Sequence, residues 1–302
     1  MTKMLITDLD NTLYDWVTHF SKSFEAMVDS LSELISEDKA DLLCEFKAIH
    51  QHYKNTEQPF AILELPIVQK QFGTTSRSEL IEKLNKPLHA FNSTRKRLLT
   101  LYDGVETSLQ SLCTLGFKIV GYTEAMSINA LFRLEKLGIK EYIKRLYAPE
   151  GKYLGHPDPN FKKPLEVDYI RFIPKDNKKP NPQVLLDICK RENIDPSDTW
   201  YVGDNLIRDI SMANSAHIKS IWAKYGTQYS PEVWDILVRV THWTENDVRR
   251  ENELRNQYKE VIPTYTIDSF SRIIQILKMD MNATIKVSRN YGNARKKVSR
   301  LK

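Results

Sequence analysis

The chain predicts an α/β architecture, a doubly wound and mainly parallel sheet with an inserted helical domain, on three observations. A short apolar run at 4–7 and further strand-like segments at 117–122, 144–148, 199–203, 218–223 and 264–268 recur, with helical patterns between most of them. Runs that are apolar at successive positions suit strands buried on both faces, as a parallel sheet requires. Between the first and second runs, residues 15–100 keep helical spacing, hold one glycine (Gly73) and offer no convincing strand. Three of the runs end on a polar residue or pair: Asp8 with Asp10, Thr123, and Asp204 followed by Asp209. In an open α/β sheet the ends where strands give way to loops are where ligands bind.

Taken in order, the first run stops abruptly at Asp8-Leu-Asp10-Asn-Thr12-Leu-Tyr14-Asp15, two carboxylates one residue apart before a polar turn. An isolated buried carboxylate is costly, so a strand ending on two of them has a reason to do so. Helical spacing follows at 20–34, 39–52 and 78–88, and Phe60, Leu63, Leu65, Ile67 and Val68 are expected to form the core of this block. Ser76-Arg-Ser-Glu79 has the form of a capping box at a helix start. Ser30-Leu-Ser-Glu33 is spelled the same way but lies inside a helical pattern.

From Gly104 the α/β rhythm resumes. Helices at 105–115 and 127–137 end at Gly116 and Gly138, residues suited to the position just past a helix. The stretch 149–178, rich in Pro, Asp, Asn and Lys, is expected to be irregular. Lys179-Pro-Asn-Pro182 opens a helix to about residue 191, since proline is tolerated in a first turn. After Asp204 a helix places Ile210, Met212 and Ala213 inward. Residues 229–260 are an extension in which Thr244-Glu-Asn-Asp247 starts a mostly polar helix, and a last helix spans 270–277. The expected division is 1–14 and 101–278 for the sheet core with extension 229–260, 15–100 for the helical insert, and 279–302 for a basic, flexible tail.

The 302 residues are 41% hydrophobic and 27% charged, ordinary for a soluble globular protein. No apolar run approaches the ~20 residues needed to span a bilayer. The first strand starts at residue 4 and leaves no room for a signal peptide, and Cys44, Cys113 and Cys189 lack metal-ligand spacing. A reducing cytoplasm and no membrane partner are therefore expected. The net charge is +5, but 279–302 holds seven Lys/Arg against Asp280, or +6, so the rest carries 5 − 6 = −1. The tail is either a solubilising end or an arm with weak, salt-sensitive affinity for nucleic acid or an acidic partner.

Right-handed crossovers would bring Asp8, Asp10, Thr123, Asp204 and Asp209 to one sheet edge, with Lys179 opening a helix beside them. That set suits phosphoryl transfer, which needs charge neutralised, a nucleophile aligned and a leaving oxygen protonated. Carboxylates alone would repel a phosphate, so a hard divalent cation belongs among them, and oxygen-only ligands favour Mg²⁺.

Asp8-Leu-Asp10-Asn-Thr12, Thr123, Lys179-Pro-Asn-Pro and Gly203-Asp204-x4-Asp209 resemble, in order, the four motifs of the haloacid dehalogenase-like (HAD) hydrolase superfamily. The helical insert resembles the C1 cap of its phosphatases, and the wording around Asp8 is similar to pyrimidine 5′-nucleotidase-like members. The resemblance implies a HAD-like Rossmannoid core and a phosphoric monoester hydrolase acting on a small phosphorylated metabolite, a nucleoside monophosphate being the first to test. It implies Asp8 as nucleophile, Asp10 as general acid and base, and Thr123 and Lys179 as phosphoryl contacts. It further implies Mg²⁺ held by Asp8, the main-chain carbonyl of Asp10 and Asp204, with Asp209 orienting that set and Thr12 fixing the loop. Dehalogenases of the superfamily lack the second aspartate, so Asp10 argues for phosphate chemistry. A phosphomutase shares every motif, and a non-catalytic scaffold recruiting nucleic acid through the tail is the remaining alternative.

Lys162, Lys163 and Lys178 are rivals to Lys179, which is preferred because it directly precedes a proline-initiated helix. His50-Gln-His52 and His156-Pro-Asp158 read as solvated rather than metal-binding. Trp200, Trp222, Trp234 and Trp243 read as core rather than ligand platform.

Overall fold

A computed structural model describes residues 2–58, 60–73, 76–151 and 168–281. Seven strands form one sheet: β1 (Lys3–Thr7), β2 (Phe117–Tyr122), β3 (Arg145–Pro149), β4 (Ile170–Ile173), β5 (Thr199–Gly203), β6 (Lys219–Ala223) and β7 (Tyr265–Ile267). The order is β4-β3-β2-β1-β5-β6-β7 and every neighbouring pair runs parallel. The chain therefore winds outward from β1 to β4, then returns to lay β5 on the other side of β1. That reversal puts a topological switch point at β1, where a crevice opens beyond the strand ends.

The pleat sends alternate residues to opposite faces, and both faces are covered. Leu5, Ile119, Leu146, Trp200, Val202 and Ile221 pack under α6 (Val105–Thr114), α7 (Ser127–Lys136) and α12 (273–281). Met4, Ile6, Val120, Tyr122, Tyr147 and Tyr201 face α8 (Pro182–Glu192) and α9 (Ser211–Ser215). Two-faced burial explains why β1 is apolar at successive positions rather than alternating. The doubly wound α/β class expected from the sequence is the one observed.

Strand β4 corrects the expectation of an irregular 149–178. It is an edge strand whose two ends, Ile170 and Ile173, are buried while Arg171 is half-buried and Phe172 exposed, so no two-faced apolar run marks it. Residues 152–167 of that stretch, with His156, Lys162 and Lys163, lie outside the described residues, as does the tail from 282.

The helical insert comprises α1 (Trp16–Ile35), α2 (Lys39–Tyr53), α3 (Pro66–Phe72), α4 (Arg77–Lys83) and α5 (Asn85–Leu98). Phe20, Phe24, Leu31, Phe46, Leu63, Leu65 and Val68 form its own apolar cluster. Ser76 and Glu79 make the reciprocal cap of α4, and Ser30 lies buried within α1. The extension after β6 provides α10 (Pro231–Val240) and α11 (Glu245–Gln257), the latter opened by a Thr244–Asp247 capping box. Helix α10 lies against α1 and α2, where Val240 is buried in the insert's cluster and Ile236 and Leu237 are partly buried against it, while Val238 stays exposed. Trp200 is core, but Trp234 is exposed and stacks on Tyr229, against the expectation for it.

His50 is also not solvated. It is buried against Phe24 and Phe46, and its Nδ1 lies 2.6 Å from the Val240 carbonyl, while its Nε2 is buried without a partner. An Nδ1 that must donate to a carbonyl fixes the neutral tautomer. Burial, partly countered by that bond, lowers its pKa from 6.5 to about 4. His19 in α1 falls to about 3, through burial and the charges of Arg133 and Arg95. The unfolded chain takes up protons near pH 6.5 that the folded chain refuses, so stability is present above that pH and is lost as pH falls. Each histidine is expected to withhold about 2 kcal/mol at pH 5 relative to pH 8. Urea midpoints at both pH values check this, and a His19→Gln/His50→Gln protein with an unchanged pH slope would refute it.

Candidate active site

The loop after β1 is held from every side. Asn11 adopts the left-handed conformation that Asn tolerates (φ 57°), and its Oδ1 accepts from the backbone N–H groups of Trp16 and Val17 at 3.1 and 3.2 Å. Asp15 caps α1 through the Thr18 N–H. Thr12 anchors the loop through its carbonyl, which accepts from the Tyr225 hydroxyl at 2.6 Å, while its own hydroxyl is buried without a partner. Gly226 leaves room for this packing, because a Cβ there would lie 1.8 Å from the Asn11 carbonyl oxygen.

At the ends of β1 and β5 the structure gathers Asp8, Asp204 and Asp209, whose carboxylate oxygens lie within 4.8 Å of one another. Lys179, buried, points its ammonium at Asp8 Oδ1 (2.6 Å) and Asp209 Oδ1 (2.8 Å), over the rings of Tyr122 and Tyr201. Its place follows from local sequence. Asn181 caps α8 by accepting from the Gln183 N–H, Pro182 opens the helix, and the Lys179 N–H donates to Glu124 just past β2. Asp209 is bound on both oxygens, accepting from Lys179 and the Tyr201 hydroxyl on one and the Asn205 N–H on the other. It sits in a π-helical turn, Leu206–Ile210, that Asn205 caps. Gly203 must be glycine here, since a Cβ would meet Asp209 Cγ at 2.5 Å.

Electrostatics make the cluster incomplete. Burial pushes the Asp8 carboxyl up to about 7, Lys179 pulling it down and Asp209 raising it. Burial, then Asp209 and Asp8, hold Asp204 well above the ordinary carboxylate range. Burial opposes the charge on Lys179, but Asp209 and Asp8 outweigh it. Among the described residues no side chain donates to the Asp204 carboxylate, although the Trp222 indole N–H donates to its main-chain carbonyl at 2.7 Å. Two buried carboxylates thus share one ammonium beside the half-buried Asp204, and an oxygen-only donor set with uncompensated negative charge fits a hard divalent cation.

Thr123, at the end of β2, is buried; its Oγ accepts from the Ala125 N–H at 3.0 Å, which leaves its hydroxyl proton to donate. The carboxylate of Asp10 does not join the other three; it turns to Arg133, 2.9 Å away. Asp10, Thr123 and Lys179 line a cavity of about 370 Å³. Its other walls are Trp16 and Asn55–Thr56–Glu57 from the helical insert, and His242, Trp243, Arg250 and Glu251 from the extension. Trp243, expected in the core, is therefore a wall of this cavity, and Arg208 packs on its ring while pairing with Glu124 and Glu251. Lys178, a rival to Lys179, is exposed at the cavity.

Sequence reasoning missed Arg133, Glu57 and Arg208. The available signal for Arg133 was a lone cation on the apolar face of α7, in step with Ala130 and Leu134. Nothing marked Glu57, which comes from a polar loop of the insert.

Similarity agrees with this geometry. A profile described as haloacid dehalogenase-like hydrolase matches residues 2–217, and one described as HAD-hydrolase-like matches 177–271. A glyceraldehyde 3-phosphate phosphatase of Methanopyrus kandleri is 23% identical over 232 residues, 75% of this chain and 85% of that protein. Among solved structures, a 2-haloacid dehalogenase from Pseudomonas syringae pv. Tomato DC3000 superposes with a TM-score of 0.55 at 17% identity, covering 92% of this chain and 99% of that one. A HAD phosphatase from Thermococcus onnurineus does so with a TM-score of 0.51 at 16% identity, covering 91% and 98%. Likeness at those identities speaks for the fold, whereas the profile spans both the strand that ends on Asp8 and the one that ends on Asp204, and on it the chain belongs to the haloacid dehalogenase-like hydrolase family.

Proposed function

We propose that the protein is a Mg²⁺-dependent phosphatase that hydrolyses a small phosphate monoester through an aspartyl-phosphate on Asp8. The observation that carries this reading is the cluster of Asp8, Asp204 and Asp209 around Lys179 at the switch point, beside a cavity that Lys179 also lines. Asp8 attacks phosphorus in line as the ester P–O bond breaks, and Asp10 gives its proton to the leaving oxygen. Water then attacks the same phosphorus, Asp10 takes a proton back, and inorganic phosphate leaves with Asp8 restored. Lys179 offsets charge on the transferring group and Thr123 donates a hydrogen bond to it. Asp8, Asp204 and the main-chain carbonyl of Asp10 would hold Mg²⁺, which neutralises phosphoryl oxygens when bound. Asp209, with both oxygens occupied by protein donors, positions Lys179 and the Asn205 turn.

The helical insert and the extension act as a cap that completes the cavity and excludes water. Lys54, Lys175, Lys178 and Arg250 line it from exposed positions, which favours a substrate whose remainder is polar or anionic. A nucleoside monophosphate is the first candidate; glyceraldehyde 3-phosphate, for which the Methanopyrus relative is named, is the second. The test is inorganic phosphate release across a panel of phosphate monoesters with Mg²⁺, with Asp8→Asn as the blank and EDTA as a second. Turnover abolished by both supports the reading. Intramolecular transfer without net phosphate would mark a mutase instead, and no turnover on any ester would refute it.

A further inference from the structure

Behind the cavity wall lies an arginine that the steps above do not use. Arg133 is only 3% exposed and does not line the cavity, whereas Asp10 and Glu57 both do. One guanidinium nitrogen donates to Asp10 Oδ1 at 2.9 Å and the other pairs with Glu57 Oε1, the plane lying 5.9 Å over the ring of Tyr14. Glu57 is bound further by the Trp16 indole N–H (2.9 Å) and the Asn129 amide (2.8 Å). Asp10, Arg133 and Asn129 belong to the sheet body, while Glu57 comes from the loop after α2 in the helical insert. A planar fork between two carboxylates fixes direction as well as distance, which an ammonium would not.

We propose that Arg133 and Glu57 are positioning residues that hold the Asp10 carboxylate where it protonates the leaving oxygen, so that proton donation depends on the insert's loop being seated. This rests on the phosphatase reading. The physical argument is geometric. A carboxylate free to rotate into solvent loses the alignment a general acid requires, and Asp10 is the one motif aspartate outside the Lys179 cluster. Arg133 supplies that missing constraint, and Glu57 in turn constrains Arg133.

The leaving group separates this role from simple structural adhesion. The phenolate of p-nitrophenyl phosphate departs without a proton, whereas an alkoxide needs one. With full-length protein and Mg²⁺, Glu57→Gln and Arg133→Met are expected to lower kcat on glycerol 3-phosphate, or on the best alkyl phosphate of the panel, at least about tenfold more than kcat on p-nitrophenyl phosphate. Arg133→Lys should recover part of the difference, with KM changing less than kcat. Should Arg133→Met fail to fold by circular dichroism, Glu57→Gln, which keeps the shape and one acceptor oxygen but loses the charge, carries the comparison. Equal fold-losses on both substrates, or none on either, would overturn the positioning role and leave the phosphatase reading standing. A wild-type protein without Asp8-dependent phosphate release would remove both.

Discussion

Asp8→Asn is expected to lower phosphate release by about 10³-fold or more while leaving the fold as stable as before. The activity loss follows from removing the oxygen that attacks phosphorus. The stability outcome follows from the charges: burial and Asp209 push the Asp8 carboxyl up to about 7 against the pull of Lys179, so its ionised form is not a comfortable one. An amide of the same shape removes a repelling carboxylate, and Lys179 keeps Asp209 as a partner. Melting temperature and steady-state turnover, measured on one preparation, check the pair. Retention of more than about a hundredth of the activity would exclude Asp8 as nucleophile, and a collapsed fold would make the cluster a structural ion network.

Lys179→Met, by contrast, is expected to damage both activity and stability. It removes the only side-chain cation paired with Asp8 and Asp209 among the described residues, and leaves two buried carboxylates together beside the half-buried Asp204. Breaking such a pair costs about 3–5 kcal/mol, a drop in melting temperature on the order of 10 °C for a chain of this size. Adding Asp8→Asn should restore part of that loss, because the two changes act on one interaction and do not add. A Lys179→Met protein as stable as the wild type would mean that the ammonium does not hold the acids together in solution.

The elements that position these groups were legible because each leaves a local mark. Met4–Thr7 reads as a doubly buried strand, Asp8 and Asp204 mark strand ends, and Asn181-Pro182 announces the helix that sets Lys179. Convergence of such ends follows from the handedness of parallel crossovers, so the cluster could be expected without coordinates. Side-chain direction could not. Asp8 and Asp10 are one residue apart, yet the first faces Lys179 and the second Arg133, a choice made by a helix more than a hundred residues away. Helix α10 was opaque for a related reason. Its apolar stripe is plain in the sequence, but which cluster would receive Val240 depends on where the insert sits. Likewise His50 stands in a polar run, and its burial rests on Phe24 and Phe46 from the insert and on that helix, whose Val240 carbonyl receives its Nδ1.

The packing of α10 also bears on how substrate can enter. The chain leaves the sheet for the helices twice, after β1 and after β6, and returns twice. A lid strung on one pair of connections swings about them freely. Here the two departure points are separated by β5, roughly 10 Å apart along the sheet edge. The cavity is therefore walled by Glu57 and Trp243 from a block that the sheet holds at two places, because α10 packs on α1 and α2 and Gln51 donates to the Trp243 carbonyl.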